Sequence, residues 1–147
     1  MKYYIDYETN ALEIYDPKFE IRLTGYLNPN GKVFQIEKEP GIFMGEMIGW
    51  GNYEYFVSKS YGIPIHKFYN QKIPWSLYNE NKRWSLGSAL EHIGKLNHKF
   101  LRTQWEKLGY KWHDVPMQYL KPYNKLDVMA QEWLDEWIQG KYSQKQI

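Results

Sequence analysis

The sequence contains no cysteine, which excludes disulfides, thiolate-ligated zinc and a thiol nucleophile and suits a reducing, cytoplasmic setting. No run of about eighteen apolar residues occurs, so neither a membrane-spanning helix nor a membrane partner is expected. Met1-Lys2 leads directly into strand-forming residues, and no secretory leader is expected. Charge of one sign is also scarce. Lys and Arg number 19 against 17 Asp and Glu, a balance too even to mark a nucleic-acid binder by bulk electrostatics. No glycine-rich phosphate loop follows a strand, and there is no Gly-x-Ser-x-Gly elbow. The four histidines, His66, His92, His98 and His113, lack zinc-ligand spacing. His92 and His98 are expected on the surface beside a basic stretch.

Aromatic residues, by contrast, are abundant: seven Trp and fourteen Tyr predict an aromatic-rich core and an aromatic groove. A hydrophobic fraction of 43% with 24% charged residues excludes disorder, and 147 residues are enough for one domain with a real core. That domain is expected over residues 1–140, with 141–147 a polar, frayed tail. Basic residues concentrate between Glu80 and Lys111, as Lys82, Arg83, Lys95, Lys99, Arg102, Lys107 and Lys111.

Residues Lys2 to Leu12 open with Tyr3, Tyr4, Ile5 and Tyr7, which favour a strand. Phe19–Leu27 predicts a second strand, Asn28-Pro29-Asn30-Gly31 a turn, and Lys32–Glu37 a third strand pairing back on it. One helical turn is read over Ile42–Met47 and a short strand over Met47–Trp50. Helical spacing of Tyr53, Phe56, Val57 and Tyr61 predicts a helix ended by Gly62 and Pro64. His66–Arg83 reads as a loop, Ser85–Gly94 and Lys99–Leu108 as short helices, and Gly109–Pro116 as a connection. A last helix is expected from Pro122 to about Ile138, stopped by Gly140.

Asp6 and Glu8 lie two apart in the first strand and therefore project from one face. Like charges held that close repel unless a cation lies between them, and Mg²⁺ or Mn²⁺ suits carboxylate oxygens. A solvated polar face on an edge strand is the alternative reading of the same residues. Near the other end, Tyr123 and Asp127 stand at i and i+4, so hydroxyl and carboxylate can converge. Ala130, Leu134 and Ile138 continue that face inward, and an inward Asp is costly unless paired or metal-bound.

Ile5-Asp6-Tyr7-Glu8-Thr9-Asn10-Ala11-Leu12 resembles the first motif of the DEDD 3′–5′ exonucleases, an Asp-x-Glu-Thr on the first strand of an RNase H-like fold. Ile48-Gly49-Trp50-Gly51-Asn52-Tyr53-Glu54 is similar to their second motif, with Trp50 where His is usual. Tyr123-Asn124-Lys125-Leu126-Asp127-Val128 resembles the third motif of the tyrosine (DEDDy) subclass, and Ser85-Leu86-Gly87-Ser88 the small-Leu helix that precedes it. The chain also resembles the proofreading domains of phage-type family A polymerases.

The resemblance implies an α/β fold: an RNase H-like mixed sheet of three antiparallel strands plus short parallel strands, flanked by helices. It further implies a stand-alone, metal-dependent 3′–5′ exonuclease acting on single-stranded DNA or short RNA. Asp6, Glu8, Glu54 and Asp127 would hold two Mg²⁺ or Mn²⁺ ions, Glu54 mainly through water, with Tyr123 orienting the attacking water. Thr9 is expected to touch the terminal nucleotide, beside Asn52. Tyr7, Trp50 and Tyr53 are candidates to stack on its base, and Lys95, Lys99 and Arg102 to follow the phosphates. Single-stranded nucleic acid is the implied partner, together with a separate polymerase or replication protein. The alternative is a catalytically weak or inactive RNase H-like module that binds nucleic acid or a protein.

Overall fold

The first strand organises the molecule. In the computed structural model, which describes residues 2–28, 30–38, 40 and 45–145, β1 is Lys2–Thr9. Its alternation buries Ile5 and Tyr7 on one side and leaves Tyr4, Asp6 and Glu8 for the other. β2 (Ile21–Leu27) pairs antiparallel with β1, and β3 (Val33–Ile36) antiparallel with β2. β4 (Glu46–Gly49) then returns parallel to β1, and β5 (Lys67–Asn70) parallel to β4. The result is a five-stranded mixed sheet in the order β3-β2-β1-β4-β5, with helices on both faces. This is the α/β arrangement expected, and it is compatible with an RNase H-like one.

α1 (Tyr53–Ser60) covers the Ile5–Tyr7 face, where Met47, Val57 and Ile63 complete a core. α5 (Met117–Lys145) lies across the opposite face. Ala130, Leu134 and Ile138 are buried there against Leu86, Ala89 and Leu90 of α3 (Leu86–His92) and Trp75 of α2 (Lys72–Tyr78). A third cluster joins Leu23, Leu120 and Tyr123 to Trp112 and Val115. Trp112 belongs to a 3₁₀ turn, Trp112–Asp114, that follows α4 (Phe100–Lys107). Two buried glutamines bind α5 to the sheet: Gln131 Nε2 donates to the Ile5 carbonyl at 2.9 Å, and Gln71 Nε2 to the Gln131 carbonyl at 2.6 Å.

Several elements differ from expectation. The stretch read as a loop over His66–Arg83 holds both β5 and α2. α2 is anchored by one fully buried residue, Trp75, while Ile73 and Leu77 are exposed, so its pattern carries no amphipathic signal. In α1 the inward face is Glu54, Val57 and Ser58, whereas Tyr53 and Phe56 face outward. The connection Gly109–Pro116 contains the 3₁₀ turn.

α5 begins at Met117, before Pro122, because the amides of Tyr119 and Leu120 close onto the Pro116 carbonyl. Pro122 then falls in the second turn of the helix, where it has no N–H to give the i→i−4 ladder. Nor does Gly140 stop it. The helix continues to Lys145, held by the Tyr142 hydroxyl donating to the Pro74 carbonyl at 2.7 Å, so 141–145 are helical rather than a frayed tail. Of the turn read over Ile42–Met47, Glu46 and Met47 belong to β4, and Ile42, Phe43 and Met44 lie outside the described residues. Among the described residues no helix is long and apolar enough to cross a membrane.

Candidate metal centre

Asp6 and Glu8 leave β1 toward α5, and Asp127 of α5 meets them. Each of the three offers a carboxylate oxygen within 4.8 Å of the others. The approach depends on a gap. Asp6 faces Gly25 across the β1–β2 ladder, and a Cβ at Gly25 would lie 2.0 Å from Asn124 Oδ1. Glycine there lets α5 settle close enough for Asn124 Nδ2 to donate to Asp6 Oδ2 at 2.9 Å and to the Asp6 carbonyl at 3.3 Å. Gln35 Nε2 donates to Asn124 Oδ1 at 3.0 Å, which fixes which way the amide points.

Each carboxylate has its own holder. The Trp112 indole N–H donates to Glu8 Oε2 at 3.3 Å. The turn carrying Trp112 is clamped in turn by Arg22, whose guanidinium donates to the carbonyls of His113 at 2.6 Å and Val115 at 2.8 Å. On Asp127, His98 Nε2 and Lys99 Nζ both approach Oδ1 at 2.6 Å. Thus one ammonium stands against a cluster of three acids.

Burial, and after it that imbalance, raises the acids. Burial first, and then the neighbouring Asp127 charge, push Glu8 up to about 7. Asp6 lies well above the usual carboxylate range for the same reasons, with Glu8 and Glu54 adding to the repulsion. Burial is likewise the main cause for Glu54, at about 8. Tyr123 is raised chiefly by burial and then by Asp127, so its hydroxyl keeps its proton throughout the neutral range. For Lys99, burial pulls downward but Asp127, Tyr123 and Asp6 together outweigh it, and the ammonium stays charged.

A cavity of about 630 Å³ opens over the cluster. Asp6, Glu8, Thr9, Tyr53, Lys99, Arg102, Tyr123 and Asp127, all singled out from sequence, line it. Tyr53 is exposed, and its hydroxyl shares a hydrogen bond of 3.0 Å with Thr9 Oγ1 at the rim. Ala11, also on the lining, holds a left-handed backbone with φ of 64°.

Tyr7 lines the cavity too, but its ring is buried in the α1-side core with its hydroxyl 2.8 Å from Ser58 Oγ, which turns it away from a stacked base. Other expected residues sit elsewhere. Trp50 packs on Trp75, drawn into the tryptophan-rich core. Asn52 is exposed at the start of α1 and makes no side-chain cap. Lys95 lies over the Trp133 ring, 5.0 Å from its centroid; neither it nor Asn52 lines the cavity.

Glu54 is intermediate. It is buried and feels the charges of Asp127 and Glu8, yet it lies outside the three-acid group and off the cavity lining. It rests beside Gly49 and Phe68, because its Oε2 lies 3.1 Å from where a Gly49 Cβ would stand. That Oε2 has no hydrogen-bond partner among the described residues.

His98 is the clearest residue that sequence reasoning missed. Expected on the surface, it is 3% exposed and bonded to Asp127. Trp112 was also unforeseen as a holder of Glu8, since nothing local links a turn after α4 to β1. Asn124 did carry a signal: at i and i+3 from Asp127 it shares that residue's helical face.

The donor set suits a hard divalent cation. Oxygen ligands of this kind are what Mg²⁺ and Mn²⁺ take, and an orphaned buried oxygen on Glu54 is the unsatisfied group a cation or its water would complete. No protein-family model matches the chain, and no curated protein matches it significantly.

Proposed function

We propose that the chain is a metal-dependent 3′–5′ exonuclease of the DEDDy type, acting on single-stranded DNA. The observation that carries this reading is the convergence of Asp6, Glu8 and Asp127, from opposite ends of the chain, on one point beneath a solvent-open cavity. Asp6, Glu8 and Asp127 would hold Mg²⁺ or Mn²⁺, with Glu54 behind them. When bound, such ions lower the pKa of water and neutralise charge on a leaving 3′-oxygen.

The protein's own groups do the positioning. Asn124 and Trp112 fix the Asp6 and Glu8 carboxylates by hydrogen bonds, so little reorganisation is needed at the moment of reaction. Lys99 and Arg102 bring positive charge to the cavity wall and can take a backbone phosphate. The protonated Tyr123 hydroxyl acts as a donor that orients, not as a base. Tyr53, exposed and tethered to Thr9, offers a ring face to the terminal base.

Two features favour a second reading, a nucleic-acid-binding module without catalysis. Lys99 already neutralises Asp127, and Glu54 stands back from the triad. A 5′-labelled single-stranded oligonucleotide incubated with Mn²⁺ separates the two. Stepwise shortening from the 3′ end, lost in Asp6→Ala, is the expected result. An oligonucleotide that is retained on the protein but stays full-length would establish the binding module instead.

A further inference from the structure

We propose that His98 is a positioning residue for Asp127, setting which of its two oxygens faces Asp6 and Glu8; the inference rests on the metal-site reading above. The His98 imidazole and the Asp127 carboxylate are each 3% exposed and meet at 2.6 Å. The ring is held by more than that bond, lying against the Tyr123 ring with centroids 5.2 Å apart at 69°. Lys99 Nζ approaches the same Oδ1, also at 2.6 Å. A carboxylate oxygen has about two lone-pair directions, so two donors fill Oδ1. Oδ2 is thereby left as the oxygen with lone pairs free for a cation.

The two donors differ in what they can do next. Lys99 is 35% exposed on a flexible stem and lines the cavity, so its ammonium can leave Oδ1 for a substrate phosphate. His98 has no such freedom, enclosed between α5 and the start of α4. When Lys99 moves, His98 alone keeps the Asp127 carboxylate from rotating. Buried carboxylates that bind metals depend on such outer partners, whose loss typically costs on the order of 10–100-fold in metal affinity or activity.

The test compares two amides of different reach. His98→Gln places an N–H donor near the position of Nε2, whereas His98→Asn, one methylene shorter, falls short of Asp127, so polarity is matched while reach differs. Mn²⁺ affinity is measured by calorimetry, and kcat and KM on a single-stranded oligonucleotide, with melting temperatures to confirm folding. The expected result is that His98→Asn weakens Mn²⁺ binding and lowers kcat by about 10–100-fold with KM little changed, while His98→Gln restores both to within about threefold. Equal behaviour of the two variants, or a His98→Asn protein as competent as wild type, overturns the role. Should His98→Asn fail to fold, His98→Phe, which keeps a ring against Tyr123 without a donor, takes its place under the same criteria. Wild-type protein that binds Mn²⁺ but cleaves nothing would sink the nuclease reading alone, with the affinity ratio still deciding for His98. Wild-type protein that ignores Mn²⁺ overturns both.

Discussion

Asp6 owes its position to an atom that is absent. With a Cβ at Gly25, Asn124 Oδ1 would be only 2.0 Å away, and the short amide of a buried helix residue has little room to yield. Gly25→Ala is therefore expected to force α5 off the sheet and destabilise the protein by about 1–3 kcal/mol, read as a lower urea midpoint with unchanged slope. The acids themselves predict a pH dependence. Unfolded carboxylates ionise near about 4, while Glu8 and Glu54 in the fold do so at about 7 and about 8. Between those values the native state binds more protons than the unfolded one, so stability falls as pH rises. Metal-free protein should melt at a lower temperature at pH 8.5 than at pH 5.5, and Glu54→Gln should reduce that difference. Melting temperatures that rise over this interval, or a Glu54→Gln protein with the wild-type slope, would contradict the electrostatic account.

At the scale of elements, the site depends on a short turn held by a distant arginine. Arg22 grips the carbonyls of His113 and Val115 from β2, and Trp112, just ahead of them in the turn, reaches Glu8. Removing the clamp in Arg22→Ala is expected to cost about 1.5–3 kcal/mol, the scale of hydrogen bonds to a charged group. Faster amide exchange over residues 110–116, with β1 and β2 unchanged, would localise the effect; uniform exchange would refute it. Sequence pattern exposed the elements whose reasons are local. β1 and β2 alternate, α3 opens with Ser85 and Ser88 in a reciprocal cap, and the Asp127–Ile138 face of α5 recurs at helical spacing. Missed elements have non-local reasons. α2 exists because Trp75 has a pocket to fill, and α5 outruns Gly140 because Tyr142 finds Pro74. α1 turns Glu54 inward and Tyr53 outward, against the usual hydrophobic ordering, as suits a helix that serves a charged site.

Across the whole molecule, the acids of the first strand and of the last helix were visible as pairs at strand and helix spacing. Their meeting was expected only through the resemblance of the motifs and not from spacing, because it requires the β2 glycine, the α5 asparagine and the His98–Lys99 pair to coincide in space. Lys99 and Arg102 were visible only as members of a basic stretch, and the fold sends others of that stretch elsewhere: Lys82 lies over Trp84 and Lys95 over Trp133. Lys99, Arg102 and Lys111 line the cavity together with Asp6, Glu8 and Asp127, so the polyanionic substrate of the proposed reading would meet both signs of charge there. Cations are what would make its approach to the carboxylates favourable, and their presence is directly measurable. Crystals soaked in Mn²⁺ and recorded at the manganese edge should give anomalous density bounded by Asp6, Glu8 and Asp127, on the side of Asp127 Oδ2. Density elsewhere, or none at millimolar Mn²⁺, would contradict the account.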